Sequence, residues 1–288
     1  MVRKDNYKNL FNNYFLYIKL ITIIKLHMTK KNKSKIVAII NQKGGVGKTT
    51  TAVNLSAFFA ASEIPTLVVD MDPQANCTSG LGIEIGSYKK SVYDVVIGKK
   101  DISQCILKTN LDYLDILPAS SQLVGAEVEL VGMLTRERML KDQLLSNEIQ
   151  KKYKYIIIDS PPSLGLLTIN VLTAANSLII PIQCEYYALE GLSQLLNTIR
   201  LVQKKLNKNL KIEGILATMF DNRLNLSKEV VKELKEYFKD KVYKTKIHRN
   251  VRLGEAPSHG QPILLYDASS MGANDYMNLA MEFLKNNE

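Results

Sequence analysis

Tryptophan is absent from the 288-residue chain, and there are only three histidines and three cysteines. Cys77, Cys105 and Cys184 stand far apart, with no CxxC pair and no histidine cluster beside them. Such an odd, scattered set argues against a disulfide framework or a zinc site and fits a reducing compartment. No run of about 20 apolar residues reads as a membrane span. The most apolar early stretch, residues 10–26, is interrupted by Asn12, Asn13, Lys19 and Lys25, and no small-residue cleavage site follows it. An interfacial amphipathic helix stays open for that stretch. Repeats and low-complexity blocks are also missing from the body of the chain, and 46% apolar with 23% charged residues suits a globular protein with a core.

What is abundant is positive charge, and it is unevenly placed. The net charge is +10. Residues 1–35 hold nine Lys/Arg against the single acid Asp5. Residues 199–254 hold fifteen Lys/Arg against six Asp/Glu, so the remainder is acidic. A basic block of that kind points to a polyanionic partner. Part of it, where Lys228, Lys232, Lys235 and Lys239 alternate with Glu229, Glu233 and Glu236, reads as a solvated helix face. Residues 1–34 read as an N-terminal extension without a fixed fold, with Met28 a natural alternative start.

From Lys35 onward, apolar strands alternate with amphipathic helices. Strands are expected over Ile36–Ile40, Thr66–Asp70, Tyr155–Asp159, Ser177–Ile182 and Ile212–Thr218. Helices are expected over 48–61, 121–131, 136–150, 164–175, 189–206, 226–239 and 270–286. Continuous β-branched runs between helices indicate an α/β fold: one doubly wound, mostly parallel sheet covered on both faces, over residues 35–288.

The chemistry is concentrated after the first strand, in Lys43-Gly44-Gly45-Val46-Gly47-Lys48-Thr49-Thr50. A phosphate-binding loop needs crowded backbone N–H groups, which glycine permits, a lysine for the β/γ-phosphates, and a hydroxyl for Mg²⁺. Gly44, Gly45 and Gly47, then Lys48, then Thr49 meet these needs. A strand precedes the loop and a helix follows it, so the helix N-terminus adds its own amides. ATP and Mg²⁺ are the expected ligands. Gln42 stands where the usual pattern has its first glycine, and Lys43 is an additional lysine. Asp159 closes the third strand, the place of an acid that reaches Mg²⁺ beside such a loop. Asp70 and Asp72 follow the second strand at the same rim, where ligands bind in open α/β sheets. Asp72 is the candidate for orienting the attacking water and joins Thr49 and Asp159 in the metal set. Asp70 is a structural or metal-shell residue.

The loop with its extra lysine resembles the deviant Walker A motif of the ParA/MinD ATPases. Asp70-Met71-Asp72-Pro73-Gln74 and Ile158-Asp159-Ser160-Pro161-Pro162-Ser163 resemble that family's second and third motifs. Residues 183–192 and 249–260 resemble the Soj-like chromosome-partitioning branch. The resemblance implies an ATP-bound sandwich homodimer in which Lys43 reaches the partner's phosphates as a catalytic group beside Lys48 and Asp72. It implies non-specific binding of double-stranded DNA through Arg223 and Arg252, hydrolysis stimulated by a ParB-type centromere-binding protein, and a cytoplasmic, nucleoid-associated location. His248 departs from the branch, which has proline there. A MinD-like membrane cycle is the alternative, against which the C-terminal residues carry little positive charge. An iron–sulfur relative would need bridging cysteines in a pattern this chain does not offer.

Overall fold

The computed structural model describes residues 33–186 and 191–287. Most of the N-terminal extension, and Tyr187–Glu190 of the 183–192 motif, lie outside the described residues.

Seven strands form one sheet in the order β3-β4-β2-β5-β1-β6-β7. They are β1 (Lys35–Ile39), β2 (Thr66–Asp70), β3 (Leu107–Lys108), β4 (Leu114–Leu117), β5 (Tyr155–Asp159), β6 (Ser177–Gln183) and β7 (Lys211–Thr218). All neighbours pair parallel except the β3–β4 edge, which is antiparallel. The main helices are α1 (Lys48–Ala61), α2 (Asn76–Gly80), α3 (Val92–Val96), α4 (Leu123–Val131), α5 (Met139–Leu144), α6 (Asn147–Lys152), α7 (Leu166–Ala174), α8 (Leu192–Lys205), α9 (Asn225–Phe238), α10 (Val251–Glu255), α11 (Ile263–Tyr266) and α12 (Met271–Lys285).

The two-residue period of the strands divides the core between the two faces of the sheet. Ile36, Ala38, Ile156, Ile158 and Ile180 pack with α4, α5, α7, α8 and α9. Val37, Ile39, Val68 and Ile157 pack with α1, α11 and α12. Helix α1 is buried nearly all round, which is why it lacks an amphipathic pattern. Its position is fixed by polar bonds as well: Thr51 Oγ1 meets the Tyr276 hydroxyl at 3.1 Å, and Asn54 Oδ1 accepts from Ile263 N at 2.7 Å.

Two expectations are corrected. The helix over 136–150 is broken, because Ser146 takes an extended conformation between α5 and α6. Its buried residues Leu140, Leu144 and Ile149 already show the slip, since the last spacing is one too long for a continuous face. The strand set was also incomplete. β3 is two residues long, and β4 (Leu-Asp-Ile-Leu) is interrupted by a carboxylate.

That carboxylate, Asp115, is buried and accepts from Tyr153 Oη at 2.6 Å, while Lys108 and Lys152 approach at about 3 Å. Burial alone would raise its pKa, but these partners outweigh it and hold the carboxyl below its ordinary value. A depressed folded pKa gives stability that is present above the unfolded value of about 3.9 and is lost as pH falls through the folded one. Asp115→Asn is therefore expected to cost about 2 kcal/mol at pH 7. Urea midpoints measured at pH 7 and pH 3 should show the gap from wild type closing in acid.

Candidate nucleotide site

The order of strands brings the motif residues to one rim. Asp159 at the end of β5 lies in register with Ile39 of β1 on one side and Asp70 of β2 on the other. The loop after β1, the Asp70–Asp72 turn and the end of β5 are thus side by side at the carboxyl edge of the sheet. A cavity of about 460 Å³ opens there. Gly44, Gly45, Gly47, Lys48, Thr49, Thr50 and Asp72 line it on one side. Met219, Ala256, Pro257 and Gln261 line it on another.

Gly45 and Gly47 have φ of +73° and +89°, a region that side chains with a Cβ enter only under strain. A Cβ added to Gly44 or Gly45 would meet nothing within 4 Å, so the backbone there borders open space. Gly47 precedes α1 without a side-chain cap, leaving first-turn amides for an anion. Lys48 is buried, and its Nζ donates to Lys43 O at 3.0 Å. Burial lowers its pKa, and Asp159 and Asp72 oppose the shift. Gln42, where a glycine is usual, ties the start of the loop to the head of α8 by donating to Gly191 O.

The acids divide their work. Asp70 is fully buried and spends its oxygens locally: Oδ2 accepts from Thr78 N at 2.8 Å and Thr78 Oγ1 at 2.7 Å, and Oδ1 from Asp72 N at 3.1 Å. It is a mounting for the turn. Asp72 opens onto the cavity, and its Oδ1 accepts from Gln74 N at 3.0 Å. Asp159 is fully buried. Thr49 Oγ1 donates to its Oδ2 at 2.7 Å, while Oδ1 has no hydrogen-bond partner. Burial and the neighbouring Asp70 push Asp159 well above the ordinary carboxylate range, against the Thr49 hydroxyl and Lys48. An orphaned buried oxygen beside a threonine hydroxyl is a donor set that suits Mg²⁺, whose charge would reverse that preference for the neutral acid. The residues present fit the ion.

Val46 turns inward, buried, and Lys43, Arg223 and Arg252 lie apart from this cavity. Lys43 borders a neighbouring hollow with Gln42, Pro162, Ser163 and Leu164, and its Nζ stands 3.6 Å from Glu185 Oε2. Arg223 sits on the turn after β7, and Arg252 sits in α10, just past the loop that ends at Asn250. Arg223 makes a two-pronged contact with Asp221, at 3.0 and 2.7 Å. Arg252 meets Glu255 at 2.9 Å and Asp267 at 3.6 Å. The two loops are laced together by Phe220 N to Ile247 O and Arg249 N to Phe220 O, both at 3.0 Å. His248, the departure from the branch, is built into the lacing. Its Nδ1 lies 3.0 Å from Asp275 Oδ2 and its Nε2 lies 3.4 Å from Asn222. Sequence reasoning missed Met219 and Gln261 as cavity residues, since neither carries a signal of its own.

A model of the AAA domain family matches residues 34–212. The sporulation initiation inhibitor protein Soj of Bacillus subtilis (strain 168) is 59% identical over 252 residues, covering 88% of this chain and 99% of that protein. This chain belongs to the Soj-like branch of the ParA/MinD ATPases. A chromosome partitioning protein ParA from Myxococcus xanthus (strain DK1622) is 53% identical over 251 residues, covering 87% of this chain and 88% of its own. Among solved structures, one described as cobyrinic acid a,c-diamide synthase from Mycobacterium smegmatis, with bound ADP and magnesium, superposes with a TM-score of 0.75. It is 35% identical and covers 86% of this chain and 93% of its own. Soj-like membership makes the protein a partitioning ATPase.

Proposed function

We propose that this Soj-like chain is a DNA-partitioning ATPase that binds double-stranded DNA without sequence preference as an ATP-bound homodimer and leaves it after hydrolysis stimulated by a ParB-type protein. The observation that carries the reading is the placement of its two lysines. Lys48 is buried inside the phosphate cavity, whereas Lys43 points away from it, half-exposed, into a neighbouring hollow. A second lysine facing outward from a phosphate loop suits phosphates held by another subunit.

Within that reading the loop amides of Gly44, Gly45, Val46 and Gly47 hold the phosphate oxygens of ATP, and Lys48 neutralises their charge. Thr50 continues the cradle into α1. Thr49, Asp159 and Asp72 would hold Mg²⁺, which supplies charge neutralisation across the β- and γ-phosphates. Asp72 orients the water for in-line attack on the γ-phosphate. Lys43 from the partner adds a positive charge where charge builds up in the transition state, the role an arginine finger plays in other NTPases. Arg223 and Arg252 contact DNA phosphates, and the protein acts on the nucleoid in the cytoplasm.

A MinD-like membrane cycle is less well supported. Helix α12 buries Tyr276, Leu279, Ala280, Phe283 and Leu284 in the core, which leaves no free apolar face for lipid. Among the described residues no helix is long and apolar enough to cross a membrane.

The test is DNA binding with ATP, with ADP and without nucleotide, repeated for Arg223→Ala, Arg252→Ala and Lys43→Ala. Binding should require ATP, and each arginine variant should lower affinity and reduce the steepness of the salt dependence by about one unit. Equal affinity with and without nucleotide, or indifference to both arginines, would overturn the reading.

A further inference from the structure

The basic block at 199–254 is not one surface. β7 separates its halves: Arg223, Lys246, Arg249 and Arg252 lie past the carboxyl end of the strand, whereas Lys204, Lys205 and Lys208 precede it and Lys211 is its first residue. Eight residues of strand, roughly 25 Å, lie between them. The lower group meets other lysines at the amino-terminal edge of the sheet. Ser34 Oγ donates to Tyr153 O at 2.6 Å, and Lys35 N to Lys154 O at 3.0 Å, which sets Lys33 beside Lys151, Lys152 and Lys154. Lys211 N donates to Asn176 O at 3.1 Å, which joins β7 to the same edge. Lys33, Ser34, Lys35, Asn176, Asn209 and Lys211 share a hollow of about 440 Å³ there. Two of the acids at this end are already engaged, Glu213 by Lys35 at 2.6 Å and Asp115 by Lys108 and Lys152. Glu63, Asp112, Glu148 and Glu282 are further acids toward this end.

We infer that this lysine rim is a second polyanion-binding surface, and that its partner is a separate segment of double-stranded DNA. The inference rests on the proposed DNA-binding function and extends it to a face on which that function does not depend. The cations that frame the rim are lysines, which meet phosphates as point charges, with no arginine fork for reading base edges. Tyr153 and Tyr155 are buried, which leaves the half-exposed Tyr113 beside the start of β4, fewer than the successive stacking faces that single strands use. Lipid would call for apolar insertion, and Leu201 and Leu206 are the exposed large apolar side chains of the neighbouring helix end. With arginines at one end and lysines at the other, one molecule holds two duplexes.

The experiment compares four full-length proteins with ATP and Mg²⁺: wild type, Arg223→Ala/Arg252→Ala, Lys204→Gln/Lys205→Gln/Lys208→Gln/Lys211→Gln, and all six changes together. Affinity for one labelled duplex is measured against salt, and bridging is read by energy transfer between donor- and acceptor-labelled duplexes. Circular dichroism melting and ATP turnover, both expected unchanged in the lysine variant, check the fold. The arginine variant should keep a weaker, salt-sensitive affinity that the sixfold variant loses. The lysine variant should bind one duplex within about threefold of wild type yet lose energy transfer. Complete loss of binding in the arginine variant, or bridging that survives the lysine changes, would overturn the rim and leave the proposed function standing. No DNA binding by wild type would overturn both. If the lysine changes abolish binding to phosphatidylserine vesicles and leave bridging intact, the rim is a lipid surface and the DNA assignment is wrong.

Discussion

Lys48→Ala is expected to lower ATP turnover by about a thousandfold and to weaken ATP binding as well. Removing a single preorganised donor from a site of this kind costs about a hundred- to a thousandfold in rate. Lys48 stands at the upper end because it is buried and faces two carboxylates, Asp159 and Asp72. Without the ammonium, Asp159, Asp72 and the buried Asp70 crowd one rim of the cavity with no fixed cation between them, and an incoming triphosphate adds further negative charge. Phosphate release under saturating ATP and fluorescent-nucleotide titration measure the two effects separately. The fold should survive, since among the described residues the hydrogen bond of Lys48 Nζ goes to Lys43 O within the loop. Turnover within tenfold of wild type would remove Lys48 from the phosphate-binding role.

Asp72→Asn is expected to lower turnover by at least about a hundredfold while leaving ATP binding in place, as befits loss of a water-orienting carboxylate. The asparagine keeps an oxygen for Gln74 N, so the turn between β2 and α2 stays formed. Asp70 continues to hold the Asp72 amide and Thr78 from beneath. Loss of activity would then report the charge and not the scaffold. The same variant should stay on DNA in ATP even when a ParB-type protein is added, because release follows hydrolysis in the proposed cycle. Single-turnover hydrolysis with a parallel DNA-retention assay tests both halves. An Asp72→Asn protein that hydrolyses ATP normally would pass the water-orienting role to another group.

Most of the site was legible because its parts are local in sequence. A β-branched run, a glycine loop and a helix start at Lys48 follow one another, and each stage of the chain demands the next. Asp159 and Asp72 were also accessible, since strand ends in a parallel sheet share one rim whatever the order of the strands. What the sequence did not reveal is contact across the fold. Asp70 and Asp72 differ by two positions, yet only Thr78 and the Asp72 amide show that Asp70 is a buried mounting. Met219 and Gln261 reach the cavity through loops whose course depends on tertiary packing. The short β3 and the interrupted β4 fell below the length at which alternation carries a signal. The basic block could not be placed from sequence: its residues are adjacent in the chain, and β7 carries its two halves to opposite edges of the sheet.

In the proposed cycle Lys43, drawn toward Glu185 and away from its own cavity, makes catalysis depend on a neighbouring molecule. A catalyst that borrows a charge from its neighbour has a rate that climbs faster than its concentration. Scattered thinly, such molecules hold their nucleotide and wait. Gathered on one stretch of polymer they become mutual activators, and turnover turns into a measure of local density. In that cycle the spatial distribution of the molecules sets how strongly a stimulating partner is felt, and so shapes the timing of release.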